Sequence, residues 1–296
     1  MKITVEIADR VDKALARHFP DAGRRQLSQL FDEGLVRVAG KLAKKGDRVA
    51  IGDVIELSRE PVSGDALRVT PDPAAAAGLV ILLERADVVV IAKPSGMPSQ
   101  PLRAGELGTA ANALVARYPE CVEIGDDPRD GGLVHRLDIG TSGVLVGART
   151  PEAYRAMRDA LGAGIVDKQY LAIACERPVS RECDAPLVQR GKRVAVDHTD
   201  GLAAYTSFEV ERESKTHALV RCSAATGRMH QVRAHLANVG SPIAGDELYG
   251  GAPVPGLDGF FLHAARIVLP LGADKVTVEA PPPDKFQRAL EICGLS

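Results

Sequence analysis

The stretch Leu133-Val134-His135-Arg136-Leu137-Asp138-Ile139-Gly140-Thr141-Ser142-Gly143-Val144-Leu145-Val146 sets the frame for the rest of the chain. Its apolar ends read as two short buried strands. Between them lie cationic and hydroxyl side chains, two glycines and a single carboxylate, Asp138. A polar loop held by core on both sides is where a folded chain commonly places its chemistry.

The whole chain bounds what that chemistry can be. Its 296 residues suffice for one large domain or two modest ones. The formal charge of −2 is close to neutral, so contacts with phosphate have to come from a local patch. Trp is absent and aromatics are few, which disfavours base stacking along a single strand. The five cysteines, Cys121, Cys175, Cys183, Cys222 and Cys293, contain no Cys-x-x-Cys pair. Neither a disulfide framework nor structural zinc is expected, and a cytoplasmic location fits. The N-terminus alternates charge at Lys2, Glu6, Asp9 and Arg10 and has no apolar signal core. The longest apolar runs, such as Val88 to Ala92, are strand-sized, so no membrane span is expected.

Residues 1–60 read as a small α+β unit. Val11, Ala14, Leu15 and Phe19 recur at helical spacing, Leu27, Leu30 and Phe31 repeat it, and Gly34 suits a helix stop. Val36 to Val38, Ala39 to Lys41 and Ile51 to Leu57 look like short strands with tight turns. Twelve basic residues against ten acids give this segment a net +2. Its candidate phosphate contacts are Arg24, Arg25, Arg37, Lys41, Lys44 and Lys45; the competing reading is an ordinary solvated surface. Residues 61–78 are rich in Pro, Ala, Gly and Asp and read as a linker. The second domain, 79–296, opens with a hairpin, Leu79 to Leu83 and Val88 to Ala92, followed by Lys93-Pro94-Ser95-Gly96-Met97-Pro98. Here a turn is favoured over a catalytic Lys93. Helices are expected over Thr109 to Tyr118 and Pro151 to Leu161, and strands over Lys168 to Ala174 and His217 to Cys222. Residues 183–215 carry little information.

His135-Arg136-Leu137-Asp138, two residues, then Thr141-Ser142-Gly143 resembles the signature of the RluA-type RNA pseudouridine synthases. Four further motifs agree in order: Lys93 to Pro98, Lys168-Gln169-Tyr170, Gly227 to Arg233 with His235-Leu236, and Gly245-Asp246 with Tyr249-Gly250. Gln100-Pro101 stands where the family often has His-Pro, and Met229 where it usually has Thr. The N-terminal order resembles the ribosomal-protein-S4-type RNA-binding domain, with Arg24-Arg25 and Val38-Ala39-Gly40 in place of Ser-Arg and Val-Asn-Gly.

The resemblance implies an α+β catalytic domain, built on a mostly antiparallel mixed sheet with flanking helices, behind a small S4-like module. It implies isomerisation of uridine to pseudouridine in RNA, without a cofactor, in a monomer. The glycosidic bond to nitrogen breaks, and the uracil rejoins the ribose through carbon. The target base has to leave its stack, at a cost of a few kcal/mol. Asp138 is then the nucleophile or the base, a choice that residues alone leave open. A guanidinium favours the ionised form of a buried carboxylate, and Arg233 is the implied partner. Tyr170 is placed against the uracil, its alternative being a core aromatic. Arg136 is associated with filling the gap left by the extruded base, its alternative being a salt bridge within the loop. Arg228, His230 and Gln231 are further candidates for RNA contact. His230 and His235 are five apart, a poor helical pairing for a metal, and no metal is expected.

Large-subunit ribosomal RNA is favoured as substrate over transfer RNA by the S4-like module. A hydrolase fails because Val144 occupies the second glycine of a Gly-x-Ser-x-Gly elbow. A non-catalytic RNA-binding protein is disfavoured by the intact Asp138, Tyr170 and Arg233 set.

Overall fold

The computed structural model describes residues 1–20, 22, 24–61, 67–272 and 274–296, apart from the side chains of Arg24 and Arg25. The chain divides into two compact units, residues 1–68 with 103–105, and 69–102 with 106–296.

The first unit runs β1 (Lys2–Thr4), β2 (Asp9–Arg10), α1 (Val11–His18), α2 (Arg24–Asp32), β3 (Val36–Val38), β4 (Lys41–Leu42), β5 (Arg48–Val49) and β6 (Val54–Leu57). Its sheet has the order β1-β6-β3-β4, and β2 pairs with β5. Val11, Leu15, Leu27 and Leu30, read from helical spacing, are buried in its core together with Val36 and Ile55 of the strands. Gly34, at φ 69°, ends α2 in a Schellman arrangement. Leu35 N–H donates to Leu30 O at 2.9 Å and Gly34 N–H to Phe31 O at 3.0 Å. Ala39 and Gly40 are a two-residue turn between β3 and β4, not part of a strand, and both have positive φ, 49° and 74°. An asparagine would sit there with less strain than Ala39. Ile51 to Asp53 is likewise a turn rather than the start of β6.

The second unit begins at Val69, so residues 69–78 belong to it and not to the linker read from composition. Val69 is buried, and α3 (Pro73–Ala77) carries Asp72 as N-cap, accepting from the Ala74 and Ala75 amides. An aspartate followed by proline and a run of alanines is a helix start, a signal that outweighs their loop-like composition. There follow β7 (Val80–Glu84), β8 (Val88–Lys93), α4 (Ala110–Arg117), β9 (Ser142–Ala148), α5 (Pro151–Gly162), β10 (Asp167–Cys175), β11 (Glu182–Cys183), β12 (Leu187–Arg190), β13 (Arg193–Val196), β14 (Thr206–Glu213), β15 (His217–Ala224), α6 (Gln231–Asn238), β16 (Leu262–Leu271), β17 (Asp274–Glu279) and α7 (Asp284–Ile292).

Nine strands form one sheet, ordered β11-β14-β15-β10-β16-β9-β8-β7, with β17 also on β16. Among the described residues β16 and β9 are its one parallel pair, so the sheet is mixed and mostly antiparallel. Alternation sends Val88, Val90, Val144 and Val146 towards α5, and Val89, Ile91 and Leu145 towards α4. In the other half Ala172 and Ala174 pack under α6, while Ile173 packs under α7. Helices thus flank both faces.

The parallel seam lies at the site. Ser142 stands opposite His263 and Gly143 opposite Ala264. His263 Nε2–H donates to Ala280 O, leaving Nδ1 to accept from the Ser142 hydroxyl, each at 2.9 Å. A Cβ on Gly143 would lie 2.1 Å from Ala264 O, and its φ is 112°, so only glycine fits. Val144 to Val146 belong to β9 as expected, but Leu133-Val134 is no strand. Leu133 makes a single bridge to Gly147. Beyond it, Val146 N–H donates to His135 Nε2 at 3.1 Å, so an imidazole takes the place of the next backbone acceptor.

Candidate active site

The loop from His135 to Thr141 is held from beneath by the segment Lys93 to Ser99. Lys93, 1% exposed at the end of β8, donates to three carbonyls, Pro94 O at 2.9 Å, Met97 O at 2.7 Å and Ile139 O at 3.2 Å. Burial lowers its ammonium to about 8. Ser95 Oγ donates to Gly140 O at 2.8 Å, and Ser99 Oγ both donates to Leu137 O and accepts from Leu137 N–H. Lys93 is therefore a structural clamp on the loop. Gln100, in the place of the family's histidine, donates to Asp130 Oδ1 at 2.6 Å and ties down the loop before the site.

Asp138 does not spend its side chain on the turn, because Thr141 N–H bonds its backbone carbonyl at 3.0 Å. The carboxylate instead accepts from Arg233 Nη1 through Oδ2, at 3.0 Å. Arg233, from the first turn of α6, turns its remaining fork onto Asp246: Nε to Oδ2 at 2.7 Å and Nη2 to Oδ1 at 2.9 Å. Its guanidinium carbon also lies 4.3 Å from the ring centre of Phe260 and 5.1 Å from that of Tyr249. Burial alone would lower the Arg233 pKa, but the bonds and charges of Asp246 and Asp138 outweigh it and the net shift is upward. Arg233 is thus buried, not a surface residue of its helix.

Asp138, Arg136, Tyr170, Arg228, His230 and Arg233 line one cleft. Burial, then the nearby Asp138 and Cys222, raises the Tyr170 phenol above its ordinary range, so it stays protonated at neutral pH. Arg136 is exposed and makes no ion pair with a described residue, which removes the alternative of a salt bridge within the loop. His230 precedes α6 in the left-handed region, φ 51° and ψ 20°, a strained setting for a residue with a Cβ. Its Nδ1 is 3.0 Å from the Tyr249 hydroxyl and its Nε2 is 3.8 Å from Asp138 Oδ1. Burial lowers its pKa; the charges of Asp138, Arg233, Asp246 and Arg136 pull in both directions.

Gln231, expected to meet RNA, lines the same cleft, but it is 4% exposed and its amide is fully engaged within the protein. It accepts from Thr226 Oγ1 and Arg228 N–H, and donates to Tyr205 O and Thr206 Oγ1, so it staples the loop before α6. His235 is buried between Thr206 Oγ1 and Ala185 O, and among the described residues no cluster suits a metal ion. In the first unit Arg37, Lys41, Lys44 and Lys45 are exposed, Arg37 donating to Gly40 O and Lys45 to Ser28 Oγ. The side chains of Arg24 and Arg25 lie outside the described residues. The residues that sequence reasoning missed are Asp246, Tyr249 and Phe260. The first two stood in quoted motifs without a role, and Phe260 had no signal.

Comparison with known proteins gives this geometry a family. Residues 87–238 match the family described as RNA pseudouridylate synthase. Over 300 residues the chain is 34% identical to the ribosomal large subunit pseudouridine synthase D of Xanthomonas campestris pv. campestris, covering 95% of this chain and 88% of that one. The chain belongs to the RluA-type RNA pseudouridine synthases. Over 255 residues the synthase is 33% identical to the protein of the same name from Yersinia pestis, covering 84% of this chain and 75% of that one. Its fold is shared by human RNA pseudouridylate synthase domain containing 4, with a TM-score of 0.62 and 24% identity, over 75% of this chain and 96% of that one. The enzyme is therefore an isomerase acting on uridine in RNA. Asp138, Tyr170 and Arg233 all fall within the matched segment, whereas Asp246, Tyr249 and Phe260 lie beyond it. No described helix is long and apolar enough to cross a membrane.

Proposed function

We propose that this synthase modifies uridine in large-subunit ribosomal RNA, with Asp138 as its catalytic carboxylate. The observation that carries the assignment is the state of Asp138. One oxygen is held by a buried guanidinium, and the other has no hydrogen bond to a described residue, in a cleft it shares with Tyr170. A carboxylate so placed can attack the sugar or take a ribose proton as the glycosidic bond to N1 breaks. The freed uracil turns, C5 bonds the ribose carbon, the C5 proton leaves and N1 gains one. Arg233 holds the carboxylate. Tyr170 lies against the base, and its protonated phenol passes a proton rather than standing as a base. Exposed Arg136 occupies the space of the extruded nucleotide.

Support for ribosomal RNA comes from the names of the relatives and from the basic first unit, which we read as an S4-like RNA-binding module. The same reading makes the enzyme a cytoplasmic monomer. Mapping pseudouridines in total RNA from cells with and without the gene tests it. Loss of a site in large-subunit ribosomal RNA is expected, and loss confined to transfer RNA would overturn the substrate assignment.

A further inference from the structure

We propose that His230 is a positioning residue for Asp138, and that the β12–β13 hairpin anchors it through Tyr249. The role rests on Asp138 being the reactive carboxylate.

The atoms form one chain. Val194, a buried residue of β13, donates its amide N–H to the Tyr249 hydroxyl at 3.0 Å. With Val194 donating to its oxygen, the phenol keeps its own proton for His230 Nδ1, also at 3.0 Å, and we assign it there. A neutral imidazole that accepts at Nδ1 carries its proton on Nε2. That N–H lies 3.8 Å from Asp138 Oδ1, the oxygen that Arg233 does not use. The separation is too long for a hydrogen bond. Contacts of this kind commonly tighten when substrate fills the site. One side of the carboxylate is then fixed by Arg233, and the other is aimed by His230.

Two further features point the same way. The tyrosine is itself located by packing, since Leu187 and Val194 of the hairpin share a buried cluster with Tyr249 and Ala234. The left-handed backbone at His230 costs stability that a simple RNA contact would not require. It brings the ring to the mouth of α6, between the phenol and the carboxylate. The sequence reading of His230 as an RNA contact predicts no bond to Tyr249 and no dependence on which imidazole nitrogen holds the proton.

Two substitutions separate backbone from hydrogen bond. His230→Asn relaxes the left-handed conformation, but its amide reaches only as far as Nδ1. His230→Gln keeps the strain and restores a donor at the position of Nε2. The full-length protein is assayed by tritium release from ribosomal RNA labelled at C5 of uridine. His230→Asn is expected to melt no lower than the parent, to lose about tenfold in kcat and to keep KM within about twofold. His230→Gln recovers most of that loss. In nitrogen-15 spectra of the free protein the His230 proton is expected on Nε2, and Tyr249→Phe shifts it. Parent-like kcat in His230→Asn, a proton on Nδ1 in the parent, or a loss confined to RNA affinity overturns the proposal. Turnover by Asp138→Asn would instead remove its premise.

Discussion

Asp138 meets Arg233 through one oxygen, Oδ2 at 3.0 Å from Nη1, while the same guanidinium grips Asp246 with its other two donors. One cation thus serves two carboxylates of different standing. Asp246 is 1% exposed and receives a bidentate fork, the geometry of an anchor. Asp138 is 19% exposed and receives a single bond, the geometry of a group that has to move and react.

Asp138→Asn preserves shape and removes the charge. Turnover is expected to fall by more than about a hundredfold, with RNA affinity within about threefold of the parent. Tritium release and filter binding on the same RNA measure the two quantities. Near-parental pseudouridine formation would reject Asp138.

Asp246→Asn strips the anchor while leaving Arg233 buried. Losing one of its two carboxylate partners weakens this buried pairing by up to about 3 kcal/mol, because Asp138 still offsets part of the charge. The urea midpoint should drop accordingly. Turnover should fall more than affinity, because Arg233 can then swing away from its position under Asp138.

His135 makes acid stability a readout of the loop. Burial, with Lys168 and Arg158 nearby, lowers its pKa from 6.5 to about 3. Between those values the unfolded chain binds the proton and the folded chain does not. The contribution is fully present above 6.5 and is lost as pH falls towards 3. His135→Gln, which keeps an acceptor for Val146 N–H, should lose less stability than the parent between pH 7 and pH 4 in urea titrations.

Lys93→Met removes the buried donor that three carbonyls share, at about 1–3 kcal/mol, and should loosen the loop that carries Asp138. A lower melting temperature and a reduced kcat are expected together. In the parent, the folded ammonium titrates at about 8 rather than 10.5. Its loss of the proton therefore adds stability as pH rises through that window, a gain absent from Lys93→Met when unfolding is compared at pH 7 and pH 9.

Arg24→Glu with Arg25→Glu tests the first unit. Weaker RNA binding with a flatter dependence on salt is expected, because fewer counterions are released. A slope equal to the parent's would return these residues to an ordinary solvated surface.

Residue order was enough wherever the physics is local. The Gly34 helix stop, the β7–β8 hairpin and the Pro-led α5 follow from backbone preferences and apolar period. Asp138, Tyr170 and Arg233 could be nominated because each lies in a motif of fixed spacing. Local signals also misled: a proline-alanine run hid α3, and two apolar residues before His135 passed for a strand. Folding decided which charges meet. Asp138 and Arg233 stand 95 positions apart, and the Asp246 fork, the Phe260 ring and the Tyr249–His230 contact come from separate segments. Spacing along a chain constrains neighbours within a turn or a strand. Electrostatic pairing depends on distances across the sheet, and those exist only once β9 lies beside β16 and α6 covers β10.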